Sequence, residues 1–594
     1  MTTFRFRDFE LDVATCELRR AGHSLRIERQ PMDLLILLVE RRHELVSRDD
    51  IVKRLWGERA FVDVEMGVNT AVRKVRLALG DSPENPTFIQ TLPARGYRFL
   101  PEVELLQSSR EVNAPPRVRL AVLPFDNIGT DPAREYFADG LTEEAIVALG
   151  QIDPERLTVI GRTSVMAYKR TTKALEQIGR ELDVEYLVEG AVRAEGPRLR
   201  VTTKLIRVRD QSQVWSLSFD SESGGLLEFQ RELSTSIAEK IALQVAPGRL
   251  DSLSRRQTRD AEAYDLYLRG RYYWNQLTPP TTRRALEYYL RATERDPRYA
   301  LAWSGVADAH ASAPINGDAP PLEAAERAHA AARRAEAADA QLAEVQTSLG
   351  NIQLFLDWNW PAAEAHYRRA IALDPSYALG HRMLGVVLTH RGRHEGARAA
   401  MRRARELDIY AMHYSLSAMI EIHARNPDAA VSFARQATVI APDFWIGHYH
   451  LSHAYEHAGE LDLALDAATT AGRLGGSNSK AIGTRGYLLA KLGRQEEACA
   501  ILAGLESIAR ERFVPPYGMA LTLLGLGEHQ RALECLERGQ AVRDVGLMFL
   551  PVDPKWDTLR SQTRFSEILR RCGFERSDPG DPPGDRGPNW TNAR

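Results

Sequence analysis

Apolar and polar residues alternate between positions 4 and 27, and this alternation predicts short antiparallel strands near the start of the chain. Phe4, Phe6, Phe9 and Leu11 take the apolar positions of the first strands, and Leu25 takes one in the last. A small sheet with one buried face is therefore expected.

Two helices are predicted after these strands. Residues 31–43 carry a leucine-rich stripe and begin with proline, which the first turn of a helix tolerates. Residues 47–56 begin with Ser47-x-x-Asp50, the pattern of a capping box, in which each side chain accepts a hydrogen bond from the other residue's backbone amide.

The most informative segment is a basic helix followed by a glycine-containing hairpin. Residues 69–80 read NTAVRKVRLALG, and residues 88–99 read FIQTLPARGYRF. Apolar residues recur at helical spacing and predict the buried face of the helix: Val68, Val72, Val75 and Leu79. The outward face then comprises Asn69, Arg73, Lys74 and Arg76. Gly96 permits a sharp reversal between the two strands of the hairpin.

This order of small sheet, three helices and terminal hairpin resembles the winged-helix effector domain of OmpR/PhoB-type transcription regulators. The resemblance covers residues 1–103 and rests on four separated motifs: PMDLLILLVE, RLWG, VNTAVRKVRLALGD and TLPARGYRF. It implies an α+β DNA-binding domain related to that of the CadC/ToxR-like one-component regulators. The hairpin would be the wing.

The resemblance also implies roles for individual residues. Arg73, Lys74 and Arg76 would contact bases and phosphates in the major groove, with Asn69 and Thr70 near the helix start. Two further arginines would lie on the wing, near the minor groove or the DNA backbone: Arg95 and Arg98. Residues 57–64, between the second and third helices, are where relatives contact RNA polymerase.

Charge balance limits the electrostatics of this domain. Residues 1–103 hold 17 Lys/Arg against 16 Asp/Glu, so the attraction for DNA has to come from one face. We therefore expect modest non-specific affinity, and homodimers or tandem copies on DNA.

Residues 104–117 are polar, end in Pro-Pro, and predict a linker. Residues 118–247 alternate β-branched runs with amphipathic helices, which is typical of an α/β domain. The phrases AVLPF, FADGLTEE, GRTS and EGAVR resemble the TolB amino-terminal-like domain, which implies a binding or assembly role. GRTS lacks the spacing of a phosphate-binding loop, and a turn with capping hydroxyls is expected there.

Residues 261–575 repeat at roughly 34 positions, the period of tetratricopeptide repeats. Small residues recur in register, for example Ala363, Ala397 and Ala430. About eight or nine helix pairs are expected, stacked as an all-α solenoid with a concave surface. The Pro/Gly-rich residues 576–594 are expected to be a disordered tail.

Histidines concentrate in one part of this array, because nine of the fifteen lie between His381 and His457. Spacings of i, i+3 and i+4 suit a zinc site, yet no nearby Cys or Asp completes the ligand set, so a solvated or partner-contacting face is the favoured interpretation. The predicted partner groove, pH-sensitive through histidine titration, comprises His423, Tyr449, His453, His457 and Tyr487.

The whole chain has 594 residues, a net charge of −2 and four scattered cysteines, which describes an ordinary multidomain protein of a reducing compartment. No apolar run approaches the roughly 18 residues of a membrane span, and residues 1–10 lack the apolar core of a secretion signal. A cytoplasmic location, no membrane contact and no cofactor are expected.

Three functions compete at this point. The first is a bacterial DNA-binding transcription regulator whose α/β domain and repeats sense a protein partner or a ligand. The second is an interaction scaffold whose winged helix no longer reads DNA, against which the basic residues of the third helix and the wing argue. The third is an enzyme, which is not favoured because HExxH, GxSxG, GxGxxG, P-loop and CxxC patterns are absent from the sequence.

Overall fold

A computed structural model describes most of the chain as two units, residues 1–115 and residues 116–594. The described residues are 2–12, 17–20, 23–25, 27, 29–56, 64–92, 95–107, 118–128, 135–150, 152–153, 156–195, 198–221, 232–233, 235–237, 240, 258, 260–276, 279–316, 319–476 and 478–574. The predicted polymerase-contacting loop, apart from Val64, lies outside them, as do the predicted tail and most of the predicted linker.

In the first unit, two antiparallel sheets enclose three helices. The strands are β1 (Thr2–Phe6), β2 (Phe9–Asp12), β3 (Glu17–Arg20), β4 (His23–Leu25), β5 (Val46–Ser47), β6 (Ile89–Leu92), β7 (Gly96–Phe99) and β8 (Glu104–Gln107). The helices are α1 (Arg29–Glu40), α2 (Arg48–Trp56) and α3 (Val64–Leu79). The sheet orders are β4-β3-β2-β1-β8 and β5-β7-β6.

The alternation predicted from the sequence is confirmed in β1 and β2, because Phe4, Phe6, Phe9 and Leu11 are all buried. The Phe6 ring meets that of Phe99 edge to face, with 5.1 Å between ring centroids, so the first sheet and the wing share one core. At residues 104–107 the structure differs from the linker that the sequence predicts. They form a strand beside β1 instead of the start of the linker, because β1 offered an open edge.

The middle of the chain forms a mixed sheet with helices, as the sequence predicts. Its strands are β9 (Val118–Val122), β10 (Asp126–Asn127), β11 (Leu157–Val159), β12 (Tyr186–Glu195), β13 (Arg198–Arg207) and β14 (Ser212–Ser221). The sheet order is β11-β9-β12-β13-β14, with β10 also paired to β12. Helices α4 (Glu135–Gly150), α5 (Arg162–Met166) and α6 (Leu175–Leu182) connect the parallel strands.

From residue 261 the described chain forms eight helix pairs. Their bounds are Ala261–Trp274, Pro279–Arg295, Ala300–Asn316, Pro321–Asp339, Ala343–Ile352, Trp360–Leu373, Ala378–His390, His394–Leu407, Ala411–His423, Pro427–Ile440, Trp445–His457, Leu461–Gly475, Ser479–Lys491, Gln495–Glu511, Pro516–Gly525 and His529–Ala541. Shorter elements complete the array: a π-helical turn (Gln353–Asp357), two 3-10 helices (Val545–Phe549 and Pro554–Leu559) and a last α-helix (Thr563–Arg571).

The repeating small residues seat the helices of each pair against each other. Ala363, Ala397 and Ala430 are completely buried. A Cβ added at Gly350 would come within 2.6 Å of the Tyr367 ring, so glycine is required for the two helices to approach this closely. The period read from the sequence is therefore a packing period.

Candidate nucleic-acid interface

Helix α3 packs into the first unit along the face predicted from its spacing. Val68, Val72, Val75 and Leu79 are all buried. Because α-helical side chains three and four positions apart share a face, burial of this stripe orients the rest of the helix. Thr70 and Arg73 are exposed, and Lys74 is half-buried.

Arg73 is the cation of α3 that is most open to solvent. Among the described residues, no hydrogen bond or ion pair engages its guanidinium. A guanidinium without such contacts has all five of its N–H donors available for a base edge or a phosphate. Its position agrees with the role that the resemblance implies.

Arg76 does not lie on the open face, and the prediction that it faces outward is wrong. Its Nη2 donates to the carbonyl oxygen of Ile89 at 2.8 Å and to the hydroxyl of Thr91 at 3.0 Å. Its Nε lies 3.5 Å from Oδ2 of Asp81, and only 11% of the side chain is exposed. Arg76 thus fastens strand β6 of the wing to α3. The helical spacing did not reveal this, because the acceptors come from a later part of the chain.

Asp81, the acidic neighbour of Arg76, also connects α3 to the start of β6. Its carboxylate accepts hydrogen bonds from the backbone amides of Thr87, Phe88 and Ile89, at 2.7–3.0 Å. The connection from α3 to β6 is therefore held by one buried carboxylate.

Asn69 is exposed, but its amide oxygen is already engaged. The hydroxyl of Tyr97 donates to Oδ1 at 3.1 Å, and Nη2 of Arg48 donates to the same atom at 3.4 Å. Paired recognition of adenine needs both the oxygen and the amide nitrogen of asparagine. In this arrangement the nitrogen remains for DNA, and Tyr97 and Arg48 act as positioning residues that the sequence analysis did not single out.

The wing places its two arginines differently. Arg95 is exposed at the turn, where its amide donates to the carbonyl oxygen of Leu92 at 3.0 Å. Arg98 is half-buried in β7, opposite Gln90 of β6. Gly96 begins β7 with φ +145°, and an added Cβ would collide with the carbonyl oxygen of Val46. Glycine is needed here for the close approach of β5 as well as for the turn.

Leu77 is a surface feature that the sequence analysis missed. It is 83% exposed and lies one turn beyond Arg73 on α3. An apolar side chain on this face suits contact with the methyl group of thymine. The signal was available, because leucine at position 77 falls outside the buried stripe.

The predicted capping box at the start of α2 is confirmed. The amide of Asp50 donates to Oγ of Ser47 at 3.1 Å, and the amide of Ser47 donates to Oδ2 of Asp50 at 3.3 Å. These bonds, led by the one from the Ser47 hydroxyl, lower the pKa of Asp50. They fix the start of α2, where Arg48 reaches Asn69.

The predicted partner groove corresponds in part to a cavity of the second unit, with a volume of about 540 Å³. His423, Tyr449 and His453 line it, whereas His457 and Tyr487 do not. Tyr487 is buried and donates to Oε1 of Glu456 at 3.0 Å. Helices α4 and α5 supply part of the wall, so the concave surface of the repeats faces the middle domain of the same chain.

The face that carries His450, His453 and His457 is not solvated, because His450 and His453 are buried, like His413 and His423, and His457 is half-buried. Contact of this face with a partner stays a prediction. Neighbouring repeats supply hydroxyl partners: Nδ1 of His450 lies 2.7 Å from Oγ of Ser415, and Nε2 of His453 lies 3.3 Å from Oγ1 of Thr484. Burial lowers the pKa of His450 to about 3 and that of His453 well below its ordinary value. These two rings stay neutral near pH 7, which contradicts the predicted pH sensitivity.

The GRTS segment forms the start of α5 and contacts the repeats. Oγ of Ser164 donates to Oδ1 of Asp408 at 2.7 Å, and the Ser164 amide donates to the same oxygen at 3.0 Å. The hydroxyl therefore joins two domains, whereas the sequence predicted a cap within one turn.

Among the described residues, no group of three or more His, Cys, Asp or Glu side chains is placed to hold a metal ion. No described helix is both long enough and apolar enough to cross a bilayer.

Three family models match separate parts of the chain. Residues 22–99 match "Transcriptional regulatory protein, C terminal", residues 117–238 match "HilA/YgeH-like transcriptional regulator, second domain", and residues 359–411 match a tetratricopeptide repeat. The model that matches the middle domain is thus a HilA-like one, and the TolB-like resemblance is not confirmed.

Curated relatives match over larger segments. The chain is 25% identical over 313 residues to the transcriptional regulator HilA of Salmonella typhimurium, which covers 52% of this chain and 53% of that protein. It is 34% identical over 201 residues to the putative adenylate cyclase 3 of Rhizobium meliloti, which covers 34% of this chain and 33% of that protein. The matches thus span about half or less of these relatives.

Among solved structures, the DNA-binding domain of Klebsiella pneumoniae RstA in complex with the RstA box is 25% identical. The match covers 17% of this chain and 98% of that one, with a TM-score of 0.16. By the family models, this chain combines an OmpR/PhoB-type winged-helix domain, a HilA-like regulator domain and tetratricopeptide repeats.

Proposed function

We propose that this protein is a transcription regulator that binds double-stranded DNA through α3 and the wing. In this proposal α3 enters the major groove, Arg73 and Lys74 contact bases or phosphates, and Thr70 and the amide nitrogen of Asn69 lie at its leading end. Arg95 and Arg98 contact the DNA beside the groove. Arg76 keeps its place in the proposal as the residue that holds the wing against α3.

The observation that carries the proposal is the exposure of Arg73 and Arg95 on two elements that Arg76 fastens together. Exposed cations on both α3 and the wing can contact phosphates of the DNA backbone on the two sides of a groove. Leu77 adds an apolar contact on the same helix. The name of the Salmonella typhimurium relative, a transcriptional regulator, agrees with this assignment.

The other parts of the chain are proposed to sense a signal. The HilA-like domain and the repeats would bind a protein partner or a ligand and pass its presence to the DNA-binding unit. The TolB-like resemblance of residues 118–247, a polymerase contact through residues 57–64, binding as homodimers or in tandem, and a cytoplasmic location all remain predictions.

Selection from a random duplex pool tests the DNA-binding proposal. The full chain is expected to enrich a repeated sequence motif, and its affinity is expected to fall steeply with salt as counterions are displaced. Fluorescence anisotropy on the enriched duplex then gives the affinity of each variant. Arg73→Glu is expected to weaken binding at least tenfold.

Arg42→Glu is the matched control, because it makes the same change of charge at another exposed arginine, just after α1, that forms no ion pair among the described residues. It is expected to change the affinity less than threefold. Equal losses in both variants would show a general charge effect, and salt-sensitive binding without an enriched motif would favour the scaffold function. Loss of affinity confined to Arg73→Glu supports the assigned helix.

A further inference from the structure

The cavity of the second unit lies where the middle domain meets the repeats. Its wall includes Ile146 of α4 and Thr163 of α5, together with side chains from several helix pairs. A volume of about 540 Å³ falls within the range of roughly 300–1,000 Å³ typical of small-molecule sites. Aromatic rings form much of the wall on the side of the repeats: Tyr289, Tyr377, Tyr410, Trp445 and Tyr449.

At least three of the six carboxylates of this wall are engaged by neighbouring groups of the protein. Asp408 accepts two hydrogen bonds from Ser164, and Asp374 accepts two from Ser376, at 2.9 Å from the amide and 2.6 Å from the hydroxyl. Glu143 forms an ion pair with Arg271 across the boundary between the domains. Hydrogen bonds hold Asp374 and Asp408 in place, and the ion pair with Arg271 offsets the charge of Glu143.

Arg382 differs from these groups. It projects from the helix Ala378–His390 into the cavity, where its guanidinium lies 5.7 Å from the centre of the Tyr410 ring. Among the described residues, no carboxylate lies within ion-pair distance of it and no acceptor takes its hydrogen bonds. Burial lowers the pKa of Arg382, which expresses the cost of holding an unpaired guanidinium below the surface.

The ring of His413, a neighbour of Arg382, adds no charge to the cavity. Burial, with a smaller contribution from Arg382, lowers the pKa of His413 to about 3, so this histidine stays neutral. Nδ1 of His413 lies 2.8 Å from the carbonyl oxygen of Asp408. Among the described residues no ion pair joins Arg382 to the Asp408 carboxylate, although the two charges are near enough for each to shift the other's pKa toward the ionised form.

We propose that the cavity binds a small organic anion, an aromatic carboxylate or phosphate monoester, whose acidic group pairs with Arg382 and whose ring packs on the tyrosine wall. A planar guanidinium matches either acidic group with two parallel hydrogen bonds. Because the wall belongs to both domains, the bound anion contacts the HilA-like domain and the repeats together. This inference rests on the proposed function in one respect only, namely that the second unit senses a signal.

Isothermal titration of the full chain, without DNA, tests the site. The probes are phenyl phosphate and benzoate, with benzyl alcohol as the neutral analogue and inorganic phosphate as the anion without a ring. Wild-type protein is expected to bind at least one aromatic anion at least tenfold more tightly than benzyl alcohol and inorganic phosphate. Equal binding of the neutral analogue, or no binding of either aromatic anion at 10 mM, would overturn the proposal.

Variants locate the binding. Arg382→Gln is expected to weaken binding of the aromatic anion at least tenfold, whereas Arg382→Lys retains part of it. Arg402→Gln is the matched control, because Arg402 is exposed and does not line the cavity. Unchanged affinity in Arg382→Gln would show that the anion binds elsewhere.

A second variant covers the case in which Arg382→Gln fails to fold. Ile146→Trp fills the cavity from α4 and leaves Arg382 in place. It is expected to reduce binding of the aromatic anion at least tenfold, and full retention would place the site outside the cavity. DNA binding is measured separately on the same protein, so that failure of the winged helix to bind DNA leaves the outcome of the titration readable.

Discussion

Arg73 of α3 and Arg382 of the repeat array both lack a carboxylate within ion-pair distance among the described residues, yet their surroundings are opposite. Arg73 is exposed to solvent on a helix, where salt screens its charge and where it can contact a large polyanion such as DNA. Arg382 lies in a cavity, where solvent screens charges less. An unpaired charge there raises the free energy of the fold, and pairing with a single anion is correspondingly favourable. The surface arginine is suited to contact DNA, and the arginine of the cavity is suited to bind a small anion.

The largest expected effect concerns the wing. In Gly96→Val, the new side chain collides with the carbonyl oxygen of Val46 and has to adopt φ +145°. We expect the first unit to lose about 3 kcal/mol or more of unfolding free energy, measured by denaturant unfolding of the full chain, and DNA binding to be lost.

Gly80→Ala is the control for that variant. Gly80 also has positive φ, but no atom lies within 4 Å of an added Cβ, so a loss of only about 1–2 kcal/mol is expected. Titration of the anion should be unchanged in both variants. Loss of anion binding in Gly96→Val would mean that the two regions are not independent.

The next effect concerns the contact between the middle domain and the repeats. Asp408→Ala leaves the buried amide and hydroxyl of Ser164 without their acceptor, which is expected to cost about 2–3 kcal/mol. Hydrogen exchange at residues 162–166 measures the loosening directly. Asp408→Asn keeps an acceptor oxygen and should cost less. Identical exchange in both variants would show that the carboxylate does not hold α5.

A pH-dependent effect is expected from Asp308, which lines the cavity. Burial raises its pKa to about 6, although Nδ2 of Asn351 donates to it at 3.0 Å. The unfolded value is about 3.9, so the folded protein holds the proton more tightly between roughly pH 4 and 6, and the unfolding free energy falls as pH rises through that window.

Asp308→Asn removes this titration. At pH 7 the variant is expected to be about 1–2 kcal/mol more stable than wild type, with no difference at pH 4. Thermal unfolding across pH 4–8 measures the change. A variant less stable than wild type at pH 7 would show that the ionised carboxylate serves the fold.

The smallest effect separates Arg73 from Arg76. Arg73→Ala is expected to reduce DNA affinity by about 1 kcal/mol, to lower the slope of affinity against salt by about one ion, and to leave the melting temperature unchanged. Arg76→Ala is expected to lower the melting temperature, because the wing loses its bonds to Ile89 O and Thr91 Oγ1. A stability loss in Arg73→Ala, or none in Arg76→Ala, would reverse the two assignments.

Local patterns identified the parts of this molecule that obey local rules. The buried stripe of α3, the capping box of Ser47 and Asp50, and the small residues of the repeats lie within one helix or one helix pair. Each depends on spacing along a regular backbone, so the sequence alone carries the information. The binding roles of the basic residues remain predictions.

The predictions that the structure contradicts were wrong for one shared physical reason. Arg76 donates a hydrogen bond to a carbonyl oxygen of β6, and residues Glu104–Gln107 pair with the edge of β1. His453 contacts the hydroxyl of Thr484 in the next repeat. Each partner is distant in sequence, and a polar side chain looks the same in a sequence whether water or a distant residue satisfies it.

The winged helix, the period of the repeats and the basic character of α3 can be read from neighbouring residues, because helical and strand periodicity is a local property of the chain. Which cations stay open to a ligand depends instead on how distant elements pack. Arg73 and Arg76 are three residues apart, yet one faces solvent and the other joins two elements of the fold. Arg382 faces a cavity that exists only because the middle domain lies against the repeats. Burial and pairing depend on neighbours in space, and those neighbours decide whether a charge binds DNA, stabilises the fold or selects a small anion.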